Sequence, residues 1–71
     1  MNVENSNAFG QSIRRRRREL GVTQKDLALA SGTGLRFIVD LEKGKETCQL
    51  GKSLAVVRAL GLHCHLKELD G

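Results

Sequence analysis

The sequence predicts a small all-α domain of four helices, with one short strand near its C-terminal end. Apolar residues recur at helical spacing along most of the chain, between residue types that start or stop helices. Only residues 62–66 alternate apolar and polar side chains as a half-buried strand does. A chain of 71 residues forms one small domain, and such a domain gains stability from a partner chain.

Residues 1–6 are expected to form a flexible N-terminus, 7–61 the helical domain, and 62–71 a dimerisation strand with its tail. The first helix is predicted over residues 8–20, capped by Ser6 or Asn7. Its inner face is predicted to hold one aromatic and two aliphatic side chains, namely Phe9, Ile13 and Leu20.

The second helix, over residues 24–31, has strong end signals. Thr23 followed by Asp26 three residues later forms the pattern of a capping box, and Gly32 suits a left-handed C-terminal stop. The inner face of this helix is predicted to hold Leu27, Ala28 and Ala30.

The third helix is predicted over residues 35–43, with Ile38 and Leu41 inward. The turn that precedes it is so short that the second and third helices must cross steeply, which is the geometry of a helix-turn-helix. The fourth helix is predicted over residues 49–60, and its expected inner face consists of Leu50, Leu54, Val57 and Leu60.

The net charge of +4 lies in the first half of the chain. Residues 1–36 carry seven basic and three acidic groups, whereas residues 37–71 carry five of each. A basic helix-turn-helix half favours a polyanion partner, because phosphate neutralisation supplies most non-specific affinity for DNA.

The run Arg14 to Arg18 cannot point in one direction on a helix. Arg17 falls on the apolar stripe, where a guanidinium needs a carboxylate, and Glu42 is the natural partner. Two overlapping roles stay open for the run: a structural and general electrostatic one, and direct phosphate contact by at least one member.

The outer face of the third helix is predicted to read bases through Leu35, Arg36, Val39 and Asp40. The guanidinium of Arg36 suits guanine, Leu35 suits a thymine methyl group, and Asp40 either accepts from cytosine or supports Arg36. Gln24, at the positive end of the second helix, is predicted to meet a phosphate. The full set of predicted phosphate contacts is Thr23, Gln24, Phe37, Lys43 and Lys45.

The predicted strand consists of Leu62, His63, Cys64, His65 and Leu66. A lone strand leaves backbone groups unpaired, so we expect it to pair with the same strand of a second copy and form a homodimer.

The sequence gives little support to other kinds of function. His63 and His65 share one face of the strand while Cys64 points to the other, so no metal or cofactor is expected. The chain shows no catalytic arrangement, and its apolar runs fall short of the roughly 18 residues of a membrane span. Two isolated cysteines and a polar N-terminus are typical of a cytoplasmic protein.

The pattern Thr23-Gln24…Leu27-Ala28…Ile38…Leu41-Glu42…Gly44 resembles the Cro/phage-repressor (XRE) helix-turn-helix family over residues 9–61. The resemblance implies a compact, lambda-repressor-like domain of four to five helices that binds double-stranded operator DNA as a dimer. It also implies an ion pair at the positions of Arg17 and Glu42. Gly34 departs from the family, which usually has Ser or Thr there.

The segment from Gly34 to Lys45, with residues 50–52 and 59–62, is similar to small HipB-type antitoxins. That similarity implies a repressor of its own operon that binds a HipA-like kinase toxin. Two alternatives stay open: a phage-type or stand-alone repressor without a toxin, and an interaction module that uses Leu35, Phe37 and Val39.

Overall fold

A computed structural model describes residues 5–62, which form four helices and, within that range, no strand. The helices are α1 (Ser6–Glu19), α2 (Gln24–Ser31), α3 (Leu35–Glu42) and α4 (Leu50–Ala59). Helix α2 packs against α3 and α4, and α1 packs against α3. The all-α prediction is therefore confirmed for the described part of the chain.

Helix α1 begins earlier than predicted. The side-chain oxygen of Asn5 accepts a hydrogen bond from the Ala8 N–H at 2.8 Å, so the cap is Asn5. Ser6 and Asn7, the predicted caps, lie inside the helix. Asn5 can cap because its backbone is extended, which turns its side chain toward the first helical N–H groups. Helix α1 therefore starts at Ser6, two residues before the predicted start at residue 8.

Helix α2 has the predicted ends. The Thr23 hydroxyl oxygen accepts from the Asp26 N–H at 3.0 Å, and the Asp26 carboxylate accepts from the Thr23 N–H at 3.1 Å. Gly32 ends the helix with φ of 70°, a left-handed conformation that glycine adopts without a steric penalty. The capping box and the glycine stop fix the length of α2 and hence the tight turn to α3.

The core lies where the four helices meet, and most of it is aliphatic. Phe9 and Phe37 pack against its edge, as do Cys48 and Leu62. The buried apolar residues are Ile13, Leu27, Ala28, Ile38, Leu41, Val56, Val57 and Leu60.

Three leucines predicted to face inward do not. Leu20 is 46% exposed, Leu50 72% and Leu54 38%, and Ala30 is also exposed. Leu20 lies beyond the last residue of α1, as the C-cap, where the chain turns away from the core.

The inner face of α4 overlaps only partly with the predicted one. Ser53 and Val56 are buried together with Val57, and Leu60 completes the stripe as the C-cap. Ser53 can be buried because its hydroxyl donates to the Gln49 carbonyl at 3.0 Å. With this face turned inward, Leu50 and Leu54 point outward.

Gly10 allows α1 to lie close to α3. A Cβ atom at this position would lie 2.9 Å from the Glu42 carbonyl oxygen and closer still to that of Leu41. Both neighbours are backbone atoms, which cannot rotate away. The close approach brings α1 to the C-terminal end of α3, where Glu42 lies.

The predicted strand lies mostly outside the described residues. Leu62 is described: it is half-buried, and its N–H donates to the Val57 carbonyl at 3.0 Å, which ties it to the end of α4. His63, Cys64, His65 and Leu66 lie outside residues 5–62, as do the first residues of the chain up to Glu4.

Candidate nucleic-acid interface

Helices α2 and α3, with the turn at residues 32–34, form a helix-turn-helix. The two helix starts differ. Thr23 caps α2 through its side chain, whereas Gly34 is the N-cap of α3 and has no side chain with which to accept a hydrogen bond. The first-turn N–H groups of α3 therefore lack a side-chain cap, at the end of the helix that a helix-turn-helix presents to bases.

The predicted pair of Arg17 and Glu42 is present, and it joins α1 to α3. The guanidinium donates two hydrogen bonds to the carboxylate, at 2.7 and 3.1 Å, and the two side chains are only 12% and 4% exposed. Arg17 also donates to the Val22 carbonyl at 3.0 Å. A bidentate, nearly buried pair of this kind fixes the angle between the helices.

Gln24 has a partner that the sequence did not suggest. Its side-chain amide donates to Glu42 at 3.2 Å, so the carboxylate binds α1 and α2 at once. The backbone N–H of Gln24 still lies in the first turn of α2, at the positive end of that helix. Glu42 thus orients the residue that we predicted to meet a phosphate.

The outward face of α3 carries an exposed arginine beside a half-buried carboxylate. The Arg36 side chain is 87% exposed, and its Nε lies 3.5 Å from an oxygen of Asp40. The other oxygen of Asp40 lies 3.5 Å from Lys45 Nζ. Of the two predicted roles of Asp40, support of Arg36 is the one seen in the unbound chain. Leu35, half exposed at 49%, lies at the start of the same helix.

Of the remaining predicted contact residues, two are half-buried and two are exposed. Phe37 is half-buried, with Lys52 Nζ 5.8 Å from the centre of its ring, so its side chain packs on the protein. A phosphate contact by Phe37 would use its backbone N–H. Val39 is half-buried, while Thr23 and Lys43 are exposed.

A shallow depression brings parts of three helices together beside the Arg17–Glu42 pair. It contains a predicted base-contact residue and two predicted phosphate-contact residues next to the arginine run. Its lining residues are Arg14, Arg17, Arg18, Gln24, Val39, Glu42 and Lys43.

Sequence reasoning missed the contact made by Arg16. Its Nε donates to the Leu60 carbonyl at 3.1 Å, which binds α1 to the last turn of α4. The position of Arg16 at the edge of the apolar stripe was the available signal, but the acceptor is a backbone atom that no sequence pattern marks. One more arginine of the run therefore has a structural role.

Two further features concern other kinds of site. Cys48 is a half-buried free thiol against the core. Over residues 5–62, no three His, Cys, Asp or Glu side chains are grouped as metal ligands, and no helix has the length and apolarity to cross a membrane. His63 and His65, which were predicted to share one face of the strand, fall outside that range.

A family model described as Helix-turn-helix (HTH_3) matches residues 13–66 of this chain. The chain belongs to the XRE-type helix-turn-helix family. It is similar to an uncharacterized HTH-type transcriptional regulator, y4mF, of Sinorhizobium fredii, with 52% identity over 53 residues that span 75% of this chain and 70% of the relative.

A second relative, from Methanothermobacter thermautotrophicus, is also named an uncharacterized HTH-type transcriptional regulator. It is 39% identical over 57 residues, which span 80% of this chain and 81% of the relative. The family match and the two relatives support a DNA-binding transcriptional regulator.

Proposed function

We propose that this chain is a sequence-specific repressor that binds operator DNA as a homodimer in the cytoplasm. The observation that carries the proposal is the depression that Gln24 of α2 shares with Val39 and Lys43 of α3. In this depression the positive end of α2 lies beside the outward face of α3, and this supports the proposal that α3 enters the major groove. Phosphate contacts then position the protein, and base contacts specify the site.

Within this proposal Arg36 is the principal base-reading residue. It is the most exposed charged side chain that we describe on α3, and its partner Asp40 lies at 3.5 Å, long enough for a guanine to replace it. Leu35, Val39 and Asp40 complete the base-contact surface. The proposed phosphate contacts are Thr23, Gln24, Phe37, Lys43 and Lys45.

The experiment selects duplexes from a random pool with the full chain and measures affinity for the selected and a shuffled duplex. A specific regulator binds its site roughly 10³–10⁷-fold more tightly than other DNA. Arg36→Ala is expected to lose about 1–3 kcal/mol on the selected site and to relax preference at one base position. Arg58→Ala, on exposed α4 surface, is the matched control. Equal affinity of the parent for both duplexes would contradict specific binding.

The homodimer is proposed because two recognition helices must lie about 34 Å apart to read a palindrome. The alternating sequence of residues 62–66 predicts a strand for antiparallel pairing, and exposed Leu50 and Leu54 supply apolar surface on α4 for a second copy to cover. Deletion of residues 62–71 is expected to leave the helices folded and to yield a monomer in sedimentation. A truncated chain that stays dimeric at micromolar concentration would contradict pairing by the strand.

We also propose that the chain is an antitoxin that binds a HipA-like kinase. The support is the similarity of Gly34–Lys45 and the residues after it to HipB-type antitoxins. A kinase-like gene beside this one is expected in the genome of origin, and its product should arrest growth unless this chain is co-expressed. A neighbouring kinase that this chain neither binds nor neutralises would contradict the antitoxin role and favour a stand-alone repressor.

A protein-interaction module is the second candidate, favoured by the half-exposed Leu35 at the start of α3. A salt series separates it from the first. Phosphate-dominated binding weakens steeply as salt rises, whereas apolar contact with a protein does not. DNA affinity that is weak and insensitive to salt would favour the interaction module.

A further inference from the structure

Three members of the arginine run, Arg14, Arg15 and Arg18, are exposed and make no ion pair within the described range, and two of them share one face of α1. Arg16 is bound to the end of α4 and Arg17 to Glu42. Arg14 and Arg18 are exposed, one turn apart on α1, and neither makes an ion pair with another residue of the described range. Arg18 lies in the last turn of α1, where the helix dipole favours a cation, but Arg14 does not, and like charges at this spacing destabilise a helix slightly. The stability of α1 therefore does not explain the pair.

Both side chains line the depression described above, and Lys43 at the end of α3 lines it too. We call Arg14, Arg18 and Lys43 the basic cleft. The only carboxylate in its lining is Glu42, which is 4% exposed and already holds two hydrogen bonds from Arg17. Glu19 lies nearby, in a neighbouring depression that Arg14 and Arg18 also line, but it forms no ion pair with either of them. The fields of the three cleft cations therefore add up over one concave surface.

The position of the basic cleft relative to α2 identifies the anion. Gln24 lines the same depression, so the positive end of α2 adds to the field, and Val39 places the outward face of α3 beside it. A duplex whose groove receives α3 brings a continuous row of phosphates past this surface. A phosphodiester group of the DNA backbone matches the positive charge of the basic cleft and its exposed, shallow shape.

We propose that the basic cleft binds backbone phosphates of DNA, so that Arg14 and Arg18 extend the phosphate contact of the helix-turn-helix onto α1. This inference rests on the proposed function, since it assumes that α3 enters the groove. The two arginines supply affinity for any sequence, whereas Arg36 supplies the preference for one.

The test compares two double variants that remove the same charge. Arg14→Ala with Arg18→Ala removes the α1 side of the basic cleft, while Arg15→Ala with Arg58→Ala removes two exposed cations that do not line it. The affinity of each for a labelled duplex of random sequence is measured from about 50 to 200 mM salt, the range over which phosphate contacts dominate. Thermal unfolding of all three proteins checks that the helices are intact.

The cleft variant is expected to show a slope of log affinity against log salt that is less steep by about two, because each lost phosphate contact removes roughly 0.9. Its loss of affinity across the salt range becomes about tenfold smaller than that of the parent. The control variant should keep the parental slope. A cleft variant with the parental slope, or two variants with equal changes, would overturn the inference and leave the proposed function standing. A parent chain without salt-dependent binding would overturn the proposed function itself.

Discussion

Helix α3 carries two acidic side chains, Asp40 and Glu42, which differ in their burial and in how tightly they bind their partners. Glu42 is 4% exposed and accepts hydrogen bonds from Arg17 at 2.7 and 3.1 Å and from Gln24 at 3.2 Å. Asp40 is 19% exposed and lies 3.5 Å from both Arg36 and Lys45, whose side chains are 87% and 54% exposed. Although they are only two residues apart on α3, Glu42 joins helices within the protein, whereas Asp40 lies on the face that is predicted to contact DNA.

The difference follows from which partners are available on each side. Glu42 faces Arg17 of α1, a helix that Gly10 allows to lie close to α3, so the carboxylate is nearly buried and held in a bidentate geometry. Asp40 faces long, flexible and hydrated side chains, and contacts of that kind contribute about 0–1 kcal/mol. A weak contact such as the one between Arg36 and Asp40 suits a residue that has to exchange its protein partner for a DNA base.

The largest effect is expected from breaking the buried pair. Arg17→Ala leaves Glu42 charged, nearly buried and supported only by Gln24, so we expect the free energy of unfolding to fall by about 3–5 kcal/mol. For a domain of this size each kcal/mol corresponds to roughly 4–8 °C in Tm. Calorimetry of Arg17→Ala and of its exposed neighbour Arg15→Ala measures the contrast. Equal, small shifts in Tm would show that the Arg17–Glu42 pair does not hold α1 on α3.

The second effect concerns the close approach that makes the pair possible. Gly10→Ala would raise helix propensity by about 1 kcal/mol in isolation. The added Cβ would meet the backbone carbonyls of Leu41 and Glu42, however, and overpacking of this kind costs about 1–3 kcal/mol. We expect a net loss of stability in urea unfolding, because the steric cost exceeds the propensity gain.

Gly51 is the matched control for this substitution. It lies in α4 with nothing within 4 Å of an added Cβ, so Gly51→Ala should stabilise the domain slightly. A Gly10→Ala variant that gains stability as Gly51→Ala does would mean that α1 and α3 can separate without cost.

The parts of the fold that the sequence predicted well are those governed by local chemistry. Thr23 and Asp26 bond to each other within one turn, and Gly32 adopts its left-handed conformation in place, so α2 could be bounded without knowledge of its neighbours. Arg17 and Glu42 are far apart along the chain, yet a cation on an apolar stripe needs an anion, and this limited the choice of partner.

The parts that were wrong depend on packing between helices. The leucines of α4 form a regular stripe, but a second stripe through Ser53 and Val56 is also regular, and only contact with α2 decides between them. Ser53 was absent from the predicted inner face because a serine is polar, and the sequence does not show that its hydroxyl bonds to the Gln49 carbonyl one turn earlier in α4. The partners of Arg16 and Gln24 were missed for a similar reason, since both depend on where neighbouring helix ends lie.

On the exposed side of the comparison, Asp40→Asn should leave stability almost unchanged. Its contacts with Arg36 and Lys45 are long and solvated, so a loss below about 1 kcal/mol is expected in thermal unfolding. Under the proposed function, affinity for random duplex DNA should rise, because a negative charge leaves the surface that faces phosphates. A destabilisation as large as that of Arg17→Ala would show that the two carboxylates are equivalent.

The smallest effect concerns Asp26, a carboxylate whose partner is mainly backbone. The N–H of Thr23 and then its hydroxyl lower the pKa of Asp26 below its ordinary value of 3.8. A lowered pKa in the folded state means that the stabilising contribution is fully present above the unfolded value and is lost as the pH falls through the folded one. Acid should therefore weaken the start of α2 only below the ordinary pKa of an aspartate.

Asp26→Asn isolates this contribution, because an amide does not titrate while the other carboxylates remain in both proteins. The difference in free energy of unfolding between parent and variant should be constant near neutral pH and should narrow as the pH falls below the ordinary pKa of an aspartate. Urea unfolding at a series of pH values measures it, and Glu46→Gln, on an exposed turn, serves as a control for removal of one carboxylate. A difference that stays constant into acid would mean that the hydrogen bond from Thr23 does not distinguish the charged from the protonated carboxyl group. The capping box would then stabilise the start of α2 through its geometry alone, without a contribution from the charge of Asp26.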